Sequence, residues 1–301
     1  MSEQPMVECL CPTYGRFSRL RESLACFLAQ DYPNKQLIIL NDADVPIDSE
    51  APNVHVLNLR AFANLGAKRQ TLLEGAIPFC NHKMSYHRGK TDVGFADEWI
   101  EDDLPPYCAH WDDDDLYLPW HLSSCVEALF AGVAQAPSPV ACVQPHGAWY
   151  MPDGEVHGIH HNVFEGQMVF HRQAALDLGG YPAKHSGQAK ELLGKFRAAG
   201  QFKQFEPWPG PSYVYRWDHD LGHISAIGNR DEALDRFQQQ NQDFGDGQPL
   251  TPADLVDVGR PLLKSALRWL SPDDYAAFES RLVADDPGLF LRVLRALRGE
   301  E

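Results

Sequence analysis

Four consecutive aspartates, Asp112 to Asp115, are the residues whose type and spacing point most clearly to chemistry. They follow the short apolar stretch Tyr107–Trp111 and precede Leu-Tyr-Leu-Pro119. Carboxylates this close together raise each other's pKa values unless a cation lies among them. Their oxygens suit Mg²⁺ or Mn²⁺, which bind one or two carboxylates and take substrate phosphates in the remaining positions. The cluster therefore predicts a metal–diphosphate site, and an ordinary acidic turn is the alternative.

The elements that must position these aspartates are indicated by alternating strand and helix patterns. Residues 17–30 carry the apolar stripe of an amphipathic helix, and residues 36–40 form an apolar run typical of a strand buried on both faces. The pattern predicts an α/β fold with a doubly wound, mostly parallel central sheet flanked by helices, whose ligands bind at the carboxyl ends of the strands. The predicted strands are 7–11, 36–40, 54–59, 107–111, 140–144 and 212–217, and the predicted helices are 17–30, 64–74, 122–130 and 189–198.

The predicted domain boundaries follow from where this alternation stops. Residues 1–228 form the α/β domain, in which residues 76–106 are an irregular insertion. This insertion is either a lid or acceptor-binding segment, or a surface loop without a role. Residues 229–301 carry helical stripes without catalytic clusters and are predicted to form a small C-terminal helical extension.

The composition excludes some classes of partner. Acidic residues number 42 and basic residues 26 in 301, so the formal net charge is −16. A nucleic acid or an anionic membrane needs basic patches and is therefore not expected as the main partner. An anionic nucleotide would need a local cation in this field. No run approaches the roughly 18 apolar residues of a membrane span, and a signal-peptide pattern is not found, so a cytoplasmic location is expected.

The seven cysteines are scattered and odd in number, so reduced core thiols are expected rather than disulfides. Cys80, His82 and His87 form the one cluster that suggests zinc. Three candidate ligands in an irregular segment are weak support for such a site.

Four segments occur together in an order that resembles a known family. They are Cys11-Pro-Thr-Tyr-Gly-Arg16, Ile39-Leu-Asn-Asp42, Asn64-Leu-Gly-Ala-Lys-Arg69 and Trp111-Asp-Asp-Asp-Asp115 with Pro119. The chain resembles the family 2 glycosyltransferases of GT-A fold over residues 5 to 225. A glycine near a helix N-terminus allows close approach to an anionic ligand, which agrees with the third segment.

The resemblance implies a role in nucleotide binding for residues of all four segments. In such enzymes the loop after the first strand holds the nucleobase, an aspartate after the second strand accepts hydrogen bonds from it, and the third segment supplies a cation. The implied nucleotide-binding residues are Pro12, Thr13, Tyr14, Arg16, Asp42, Gly66, Lys68, Arg69, Asp112 and Asp113. A turn cap remains the alternative for Asp42, and ordinary helix-start chemistry is the alternative for residues 64–69.

The metal ligands follow from aligning the aspartates on Pro119. Asp112 and Asp114 then match the family's Asp-x-Asp pair, with Asp112 on ribose or metal and Asp114 on the metal. Such enzymes often add a late histidine, for which His223 is preferred and His219 is the other candidate. Mn²⁺ or Mg²⁺ is the expected cofactor and would act as a Lewis acid on the diphosphate leaving group.

The general base is the position where the chain departs from the family. Inverting members place a Glu-Asp pair after a Gly-Gly-Tyr turn, but Gln188 and Ala189 stand there. The remaining candidates are Glu191, which is preferred, and Asp218 and Asp220.

The leading hypothesis is a metal-dependent glycosyltransferase that moves a sugar from a UDP-sugar donor to a hydroxyl acceptor with inversion. A catalytically degenerate relative that binds a nucleotide sugar or a partner without transfer is the second hypothesis. A nucleotidyltransferase fits less well, since Pro12–Arg16 is not a glycine- and basic-rich phosphate loop.

Overall fold

The computed structural model describes residues 4–59, 62–75, 104–133, 139–152, 158–161, 164–208, 210–217 and 248–251. Residues 76–103, which include the suggested zinc cluster, and most of the predicted C-terminal extension lie outside these ranges. The helices are α1 (Phe17–Leu28), α2 (Leu65–Leu73), α3 (His121–Val133), α4 (Arg172–Asp177) and α5 (Gln188–Ala198). The strands are β1 (Val7–Thr13), β2 (Lys35–Asn41), β3 (Val54–Asn58), β4 (Tyr107–His110), β5 (Leu116–Tyr117), β6 (Cys142–Pro145), β7 (Ala148–Pro152), β8 (Gly158–His160), β9 (Val169–His171), β10 (Phe202–Phe205) and β11 (Tyr213–Trp217).

The large sheet has seven strands in the order β10-β6-β9-β4-β1-β2-β3. β1 pairs in parallel with β2 and β4, β2 with β3, and β6 with β10. β9 runs antiparallel to both of its neighbours, β4 and β6. This topology confirms the predicted mostly parallel sheet, and β9 is an antiparallel exception that the sequence analysis did not foresee.

Both faces of this sheet are covered, as the alternation of side chains along β1 illustrates. Cys9 and Cys11 pack in a cluster with α1 and α3, whereas Leu10 packs in a second cluster with α2, α4 and α5. Successive residues of a strand point to opposite faces, so an apolar run is what a strand covered on both faces requires. The helices on the two faces confirm the predicted layered arrangement.

A second sheet of four strands, in the order β5-β11-β7-β8, lies beside the first and was not predicted. β11 pairs antiparallel with β5 and parallel with β7, and β7 pairs antiparallel with β8. The two residues of β5 directly follow the aspartate cluster. The second sheet therefore brings β11, from late in the chain, next to these carboxylates.

Residues 248–251 are the only described part of the predicted C-terminal extension. Leu250 forms a parallel bridge with Ser49 and is 3% exposed within the cluster that includes α1. Its backbone exchanges hydrogen bonds with Glu50 and Asp48, both 2.9 Å long. This short segment is extended and packs on the α/β core. Within the described ranges, no helix has the length and apolarity that crossing a membrane requires.

Candidate functional site

The carboxyl ends of β1, β2 and β4 place the predicted site residues at one edge of the large sheet. Thr13 ends β1 directly beside Asn41 at the end of β2. β4 lies on the other side of β1. The backbone N–H of Trp111 continues this pairing by donating a 3.2 Å hydrogen bond to the carbonyl oxygen of Leu10. Asp42 and the aspartate cluster therefore emerge on the two sides of Thr13, as expected for neighbouring parallel strands.

The four aspartates differ sharply in exposure. The side chains of Asp112 and Asp114 are 21% and 16% exposed, whereas Asp113 is 1% exposed and Asp115 is 2% exposed. The pair that the sequence analysis aligned with Asp-x-Asp is thus the pair whose carboxylates reach solvent.

Arg16 neutralises the middle of the cluster. Its guanidinium donates to Asp114 Oδ2 at 2.5 Å and to Asp113 Oδ1. Thr13 Oγ1 donates to the other oxygen of Asp113 at 2.6 Å. Burial raises the pKa of Asp113 to about 6, with a further contribution from Asp114, and Arg16 opposes this shift. Gly15, with φ of 58°, lets the chain turn between Thr13 and Arg16.

Arg69 neutralises the first aspartate and also contacts His110. Its Nη2 donates to Asp112 Oδ1 at 2.5 Å, and its Nη1 lies against His110 Nε2. The other ring nitrogen, Nδ1, is 2.9 Å from the carbonyl oxygen of Glu165. A carbonyl only accepts, so Nδ1 carries the proton of the neutral ring and Nε2 accepts from Arg69. Burial and Arg69 lower the pKa of His110 to about 4, so the ring is neutral at pH 7.

Asp112 is held by its backbone as well as by Arg69. Its N–H donates to the hydroxyl oxygen of Tyr117 at 2.7 Å, and its carbonyl accepts from Ser23 at 3.0 Å. Burial favours a raised pKa for Asp112, but the charge of Arg69, with His110 and Arg16, outweighs burial and lowers the pKa. The carboxylate is therefore ionised at neutral pH.

Asp115 joins the cluster to the second sheet. It accepts hydrogen bonds from the hydroxyl of Tyr213 and, at 2.9 Å, from the backbone N–H of Arg216. Burial raises the pKa of Asp115 well above its ordinary value, and Asp114 and Asp112 add to this shift. Asp115 therefore fixes β11 against the cluster.

Lys68 and Asp42 pair with each other at the opposite side of Thr13. Lys68 Nζ contacts Asp42 Oδ1 and donates to the carbonyl oxygen of Thr13 at 2.5 Å. Burial lowers the pKa of Lys68, and Asp42 opposes this shift. Asp42 is predicted to bind the nucleobase and Lys68 to bind the nucleotide. In both cases the ligand would have to replace a contact of the existing ion pair.

Gly66 lies where backbone from another part of the chain packs against α2. A Cβ built at Gly66 would be 1.9 Å from the carbonyl oxygen of Pro182, and Gly66 N–H donates to the carbonyl of Lys184 at 3.0 Å. Asn64 caps the helix by accepting from Ala67 N–H at 2.9 Å. The glycine is thus required by protein packing, and its proximity to a nucleotide stays a prediction.

The two remaining residues of the first segment differ in exposure. Pro12 is buried within β1 beside Leu40 of β2, and Tyr14 is half-buried in the loop that follows. Their predicted contact with a nucleobase stays a prediction.

The preferred general base is paired with a lysine. Glu191, in the first turn of α5, accepts a hydrogen bond from Lys184 Nζ at 2.5 Å, and both side chains are exposed. This bond lowers the pKa of Glu191, which makes its carboxylate a weaker proton acceptor. Asp218 and Asp220, and the predicted metal ligands His219 and His223, lie outside the described residues.

A metal ion would find an incomplete ligand set among the described residues. No group of three or more His, Cys, Asp or Glu side chains there is arranged to hold one. Asp112 Oδ2, however, receives no hydrogen bond from any described residue, and Asp114 is the other exposed carboxylate. Two carboxylates are what Mg²⁺ or Mn²⁺ uses when substrate phosphates complete its coordination. The donor set therefore fits an ion that binds together with a diphosphate.

Sequence reasoning missed the residues that support the cluster from behind. His110, Tyr117 and Tyr213 all contact the aspartates or their partners, and all three are buried. A signal existed for His110, since it is an ionisable residue within a predicted apolar strand, two positions before Asp112. The roles of the two tyrosines depend on pairing between β5 and β11, which are far apart in sequence.

Comparison with known proteins gives matches at the level of structure alone. No family model matches the chain, and no curated protein matches it. S. aureus TarS 1-349 in complex with UDP-GlcNAc is similar with a TM-score of 0.47 and 12% identity, over 97% of this chain and 81% of that one. Mannosyltransferase PcManGT from Pyrobaculum calidifontis, in complex with GDP-Man and Mn²⁺, has a TM-score of 0.45 and 14% identity, over 99% and 87% of the two chains.

Proposed function

We propose that this protein is a glycosyltransferase that binds a nucleotide-diphosphate sugar at the carboxyl ends of β1, β2 and β4. One observation carries the proposal: cations and carboxylates alternate around Thr13 at this sheet edge. The cations are Arg16, Lys68 and Arg69, and the carboxylates are Asp42 and Asp112 to Asp114. Ligands of open α/β sheets bind outside the carboxyl ends of the strands, which is where these groups meet.

The charge distribution supports an anionic ligand. The chain as a whole carries a formal charge of −16, which repels a diphosphate. Arg16 and Arg69 are each bound to carboxylates at this edge, and Arg16 is 19% exposed. A diphosphate that displaces or shares these carboxylates meets guanidinium groups, which donate in a geometry suited to phosphate oxygens.

We propose that transfer depends on Mn²⁺ or Mg²⁺ held by Asp112 and Asp114. The partial exposure of these two carboxylates supports this assignment, as does Oδ2 of Asp112, which receives no hydrogen bond from the described part of the chain. The bound ion would supply Lewis-acid stabilisation of the leaving diphosphate. Arg69 binds Oδ1 of Asp112 and Arg16 binds Oδ2 of Asp114, so each carboxylate is oriented by a guanidinium at one of its oxygens.

The proposed reaction breaks the bond between the sugar's anomeric carbon and the diphosphate oxygen. An acceptor hydroxyl oxygen forms the new bond with inversion and passes its proton to a base, and the nucleoside diphosphate leaves with the electron pair. A UDP-sugar is the proposed donor. Among the described residues Glu191 is the base candidate, and its pairing with Lys184 means that the acceptor proton would have to compete with that contact.

A second candidate function follows from the same pairing. Gln188 and Ala189 carry no carboxylate that could accept a proton, and the carboxylate of Glu191 accepts a hydrogen bond from Lys184. A protein that binds a nucleotide sugar without transferring it would have the same charged sheet edge. We therefore keep a non-catalytic binding protein as the alternative.

Titration calorimetry with UDP, with and without Mn²⁺, tests the proposed donor site. An assay for release of UDP from a panel of UDP-sugars separates the transferase from the binding protein. Metal-dependent binding with slow, metal-dependent release supports the transferase. Binding without any release supports the binding protein. No binding of UDP with Mn²⁺, and none of GDP, would contradict both.

The cysteines support a reducing compartment such as the cytoplasm. The six described cysteines are all unpaired and buried. None of the six forms a disulfide within the described residues, which is typical of core thiols in a reducing compartment.

A further inference from the structure

A continuous row of aromatic rings crosses one face of the second sheet, from the aspartate cluster to the outer strand. Neighbouring ring centroids are 5.2 Å apart for Tyr117–Tyr213, 4.9 Å for Phe164–Tyr215, 6.2 Å for Tyr150–Tyr215 and 4.7 Å for Tyr150–His160. Phe164 also joins Tyr213 at 6.3 Å, so the chain of contacts is unbroken. We call this row the aromatic ladder; its members are Tyr117, Tyr213, Phe164, Tyr215, Tyr150 and His160.

The strand register explains why these rings share a face. Tyr213 stands opposite Tyr117, Tyr215 opposite Tyr150, and His160 opposite Ala148. Residues two apart on one strand point to the same side, which places Tyr150 with Ala148 and therefore with His160. All members of the ladder except Phe164, which lies between β8 and β9, thus belong to four adjacent strands.

The inner end of the ladder is fixed to the proposed donor site. Tyr117 accepts from the backbone of Asp112 and donates to the carbonyl of Gly166 at 2.9 Å. Tyr213 donates to Asp115. A Cβ built at Gly166 would be 2.4 Å from the Tyr213 hydroxyl and 2.9 Å from Asp112 Oδ2. The first rings therefore border the carboxylate oxygen that has no described hydrogen-bond donor.

Exposure increases along the ladder away from the aspartates. Tyr117 and Tyr213 are buried, Phe164, Tyr215 and Tyr150 are half-buried, and His160 is exposed. The rings of Tyr150 and Tyr215 are inclined by only 18°, so they present nearly parallel planes. Burial at one end and access at the other is what a binding surface that leads into a site requires.

We propose that the outer ladder, Tyr215, Tyr150 and His160, binds the acceptor and that this acceptor is a neutral oligosaccharide. This inference rests on the proposed transferase function. A pyranose ring has an apolar face of C–H groups that packs on an aromatic plane, while its hydroxyls need donors and acceptors nearby. Tyrosine and histidine supply both a flat ring and a polar tip.

The composition of the ladder argues for this occupant over others. An acyl chain would favour an aliphatic surface, whereas every outer member of the ladder has a polar atom. An anionic polymer would be repelled by the formal charge of −16. The ring centroids of His160 and Tyr150 are 4.7 Å apart, and those of Tyr150 and Tyr215 are 6.2 Å apart. The row is therefore long enough for two or more sugar units, with the terminal unit toward Asp112.

The test uses saturation-transfer NMR of the full chain with maltotetraose, cellotetraose, chitotetraose and mannotetraose, in the presence of UDP and diamagnetic Mg²⁺. We expect a saturation-transfer signal, and therefore binding, for at least one of these oligosaccharides. Tyr150→Ala and Tyr215→Ala should each lower the affinity for that oligosaccharide about tenfold or more. Tyr150→Phe keeps the ring and should retain most of the binding. Trp208→Ala removes a 44% exposed aromatic residue outside the ladder and should leave binding unchanged.

Calorimetry with UDP on the same variants separates this inference from the proposed donor site. Normal UDP binding by Tyr150→Ala together with lost oligosaccharide binding supports the acceptor surface. UDP binding without binding of any of the four oligosaccharides would overturn it and leave the donor site intact. An equal loss of oligosaccharide binding in Trp208→Ala and Tyr150→Ala would also overturn it. So would binding of the protein to lipid vesicles or peptides, and not to sugars, if Tyr150→Ala abolishes that binding.

Discussion

Arg69 and Asp112 form an ion pair, with 2.5 Å between Nη2 and Oδ1, while Oδ2 of the same carboxylate receives no hydrogen bond from a described residue. Arg16 holds Asp113 and Asp114 in the same way. In both cases a guanidinium compensates carboxylates that would otherwise repel one another across a few ångströms. The cluster is therefore preorganised, and a ligand meets carboxylates whose orientation is already fixed.

Replacing one exposed aspartate tests this arrangement. Asp114→Asn removes one of the two exposed carboxylates, and we expect UDP affinity with Mn²⁺ to fall at least about tenfold, or about 1.4 kcal/mol. Asp177→Asn makes the same charge change on the exposed surface of α4 and should have no effect. Calorimetry with UDP and Mn²⁺ measures both. Unchanged affinity in Asp114→Asn would remove Asp114 from the proposed metal site.

The Lys68–Asp42 pair should be energetically coupled. Lys68 is 3% exposed and joins Asp42 to the carbonyl of Thr13, so removing either charge leaves the other group partly buried without its partner. In a cycle of Lys68→Met, Asp42→Asn and the double variant, we expect a coupling energy between 0.5 and about 3 kcal/mol. Urea unfolding measures it. Additive effects within about 0.5 kcal/mol would show that the two residues do not stabilise each other.

Two glycines on helices should respond to alanine in opposite directions. Gly66→Ala places a Cβ 1.9 Å from the backbone carbonyl of Pro182, so we expect a loss of about 2 kcal/mol or more. Gly194 of α5 has open space around it, and Gly194→Ala should add about 0.5 to 1 kcal/mol through helix propensity. Denaturant unfolding of both variants provides the comparison. A stable Gly66→Ala variant would show that the loop at 182–184 can move away from α2.

Buried His121 should make the protein less stable in mild acid. Burial lowers its pKa to about 3, and Nδ1 lies 2.9 Å from the hydroxyl oxygen of Ser212. The unfolded chain, with a pKa near 6.5, binds a proton that the folded chain does not, so stability is lost as pH falls below about 6.5. The slope approaches about 1.4 kcal/mol per pH unit.

The variant His121→Phe keeps a ring against Trp111 and Tyr117 and removes the titration. Between pH 7 and pH 5 we expect its free energy of unfolding to fall by about 2 kcal/mol less than that of the parent. Urea unfolding across this range measures the difference. Parallel curves for the two proteins would mean that His121 is protonated in the folded state.

Much of the large sheet could be predicted because its signals are local. The apolar run of β2 and the helical stripe of α1 lie within single windows, and the observed bounds of 35–41 and 17–28 differ by few residues from 36–40 and 17–30. Asp112 and Asp114 are the two more exposed members of the cluster, and their assignment as the Asp-x-Asp pair stays a prediction. These features depend on neighbours in sequence.

The second sheet and the ion pairs could not be predicted for the opposite reason. β5 has two residues and β8 has three, which is too short for a periodic pattern. Arg16 and Asp113 are 97 positions apart, and Tyr213 and Asp115 are 98 apart, so each contact depends on the complete topology. The sequence thus indicated which groups carry charge at the site but not which of them pair.

Arg172 connects three parts of the fold, and its replacement should be among the most destabilising changes. Its guanidinium contacts Glu8 of β1 and the carbonyl of Leu73 at the end of α2, and its Nε donates to the carbonyl of Pro105 at 3.0 Å. Glu8 is 0% exposed. Arg172→Met leaves this carboxylate buried without its cation, and we expect a loss of about 3 to 5 kcal/mol.

The double variant Glu8→Leu with Arg172→Met shows whether the buried charge causes that loss. Removing both charges avoids the unpaired carboxylate, so the double variant should be more stable than Arg172→Met alone by about 1 kcal/mol or more. Chemical unfolding of the two variants and the parent measures this. If the double variant is less stable than Arg172→Met, the unpaired charge of Glu8 does not cause the loss. The loss is then due to the hydrogen bonds to Leu73 and Pro105 and to the packing of the Arg172 side chain.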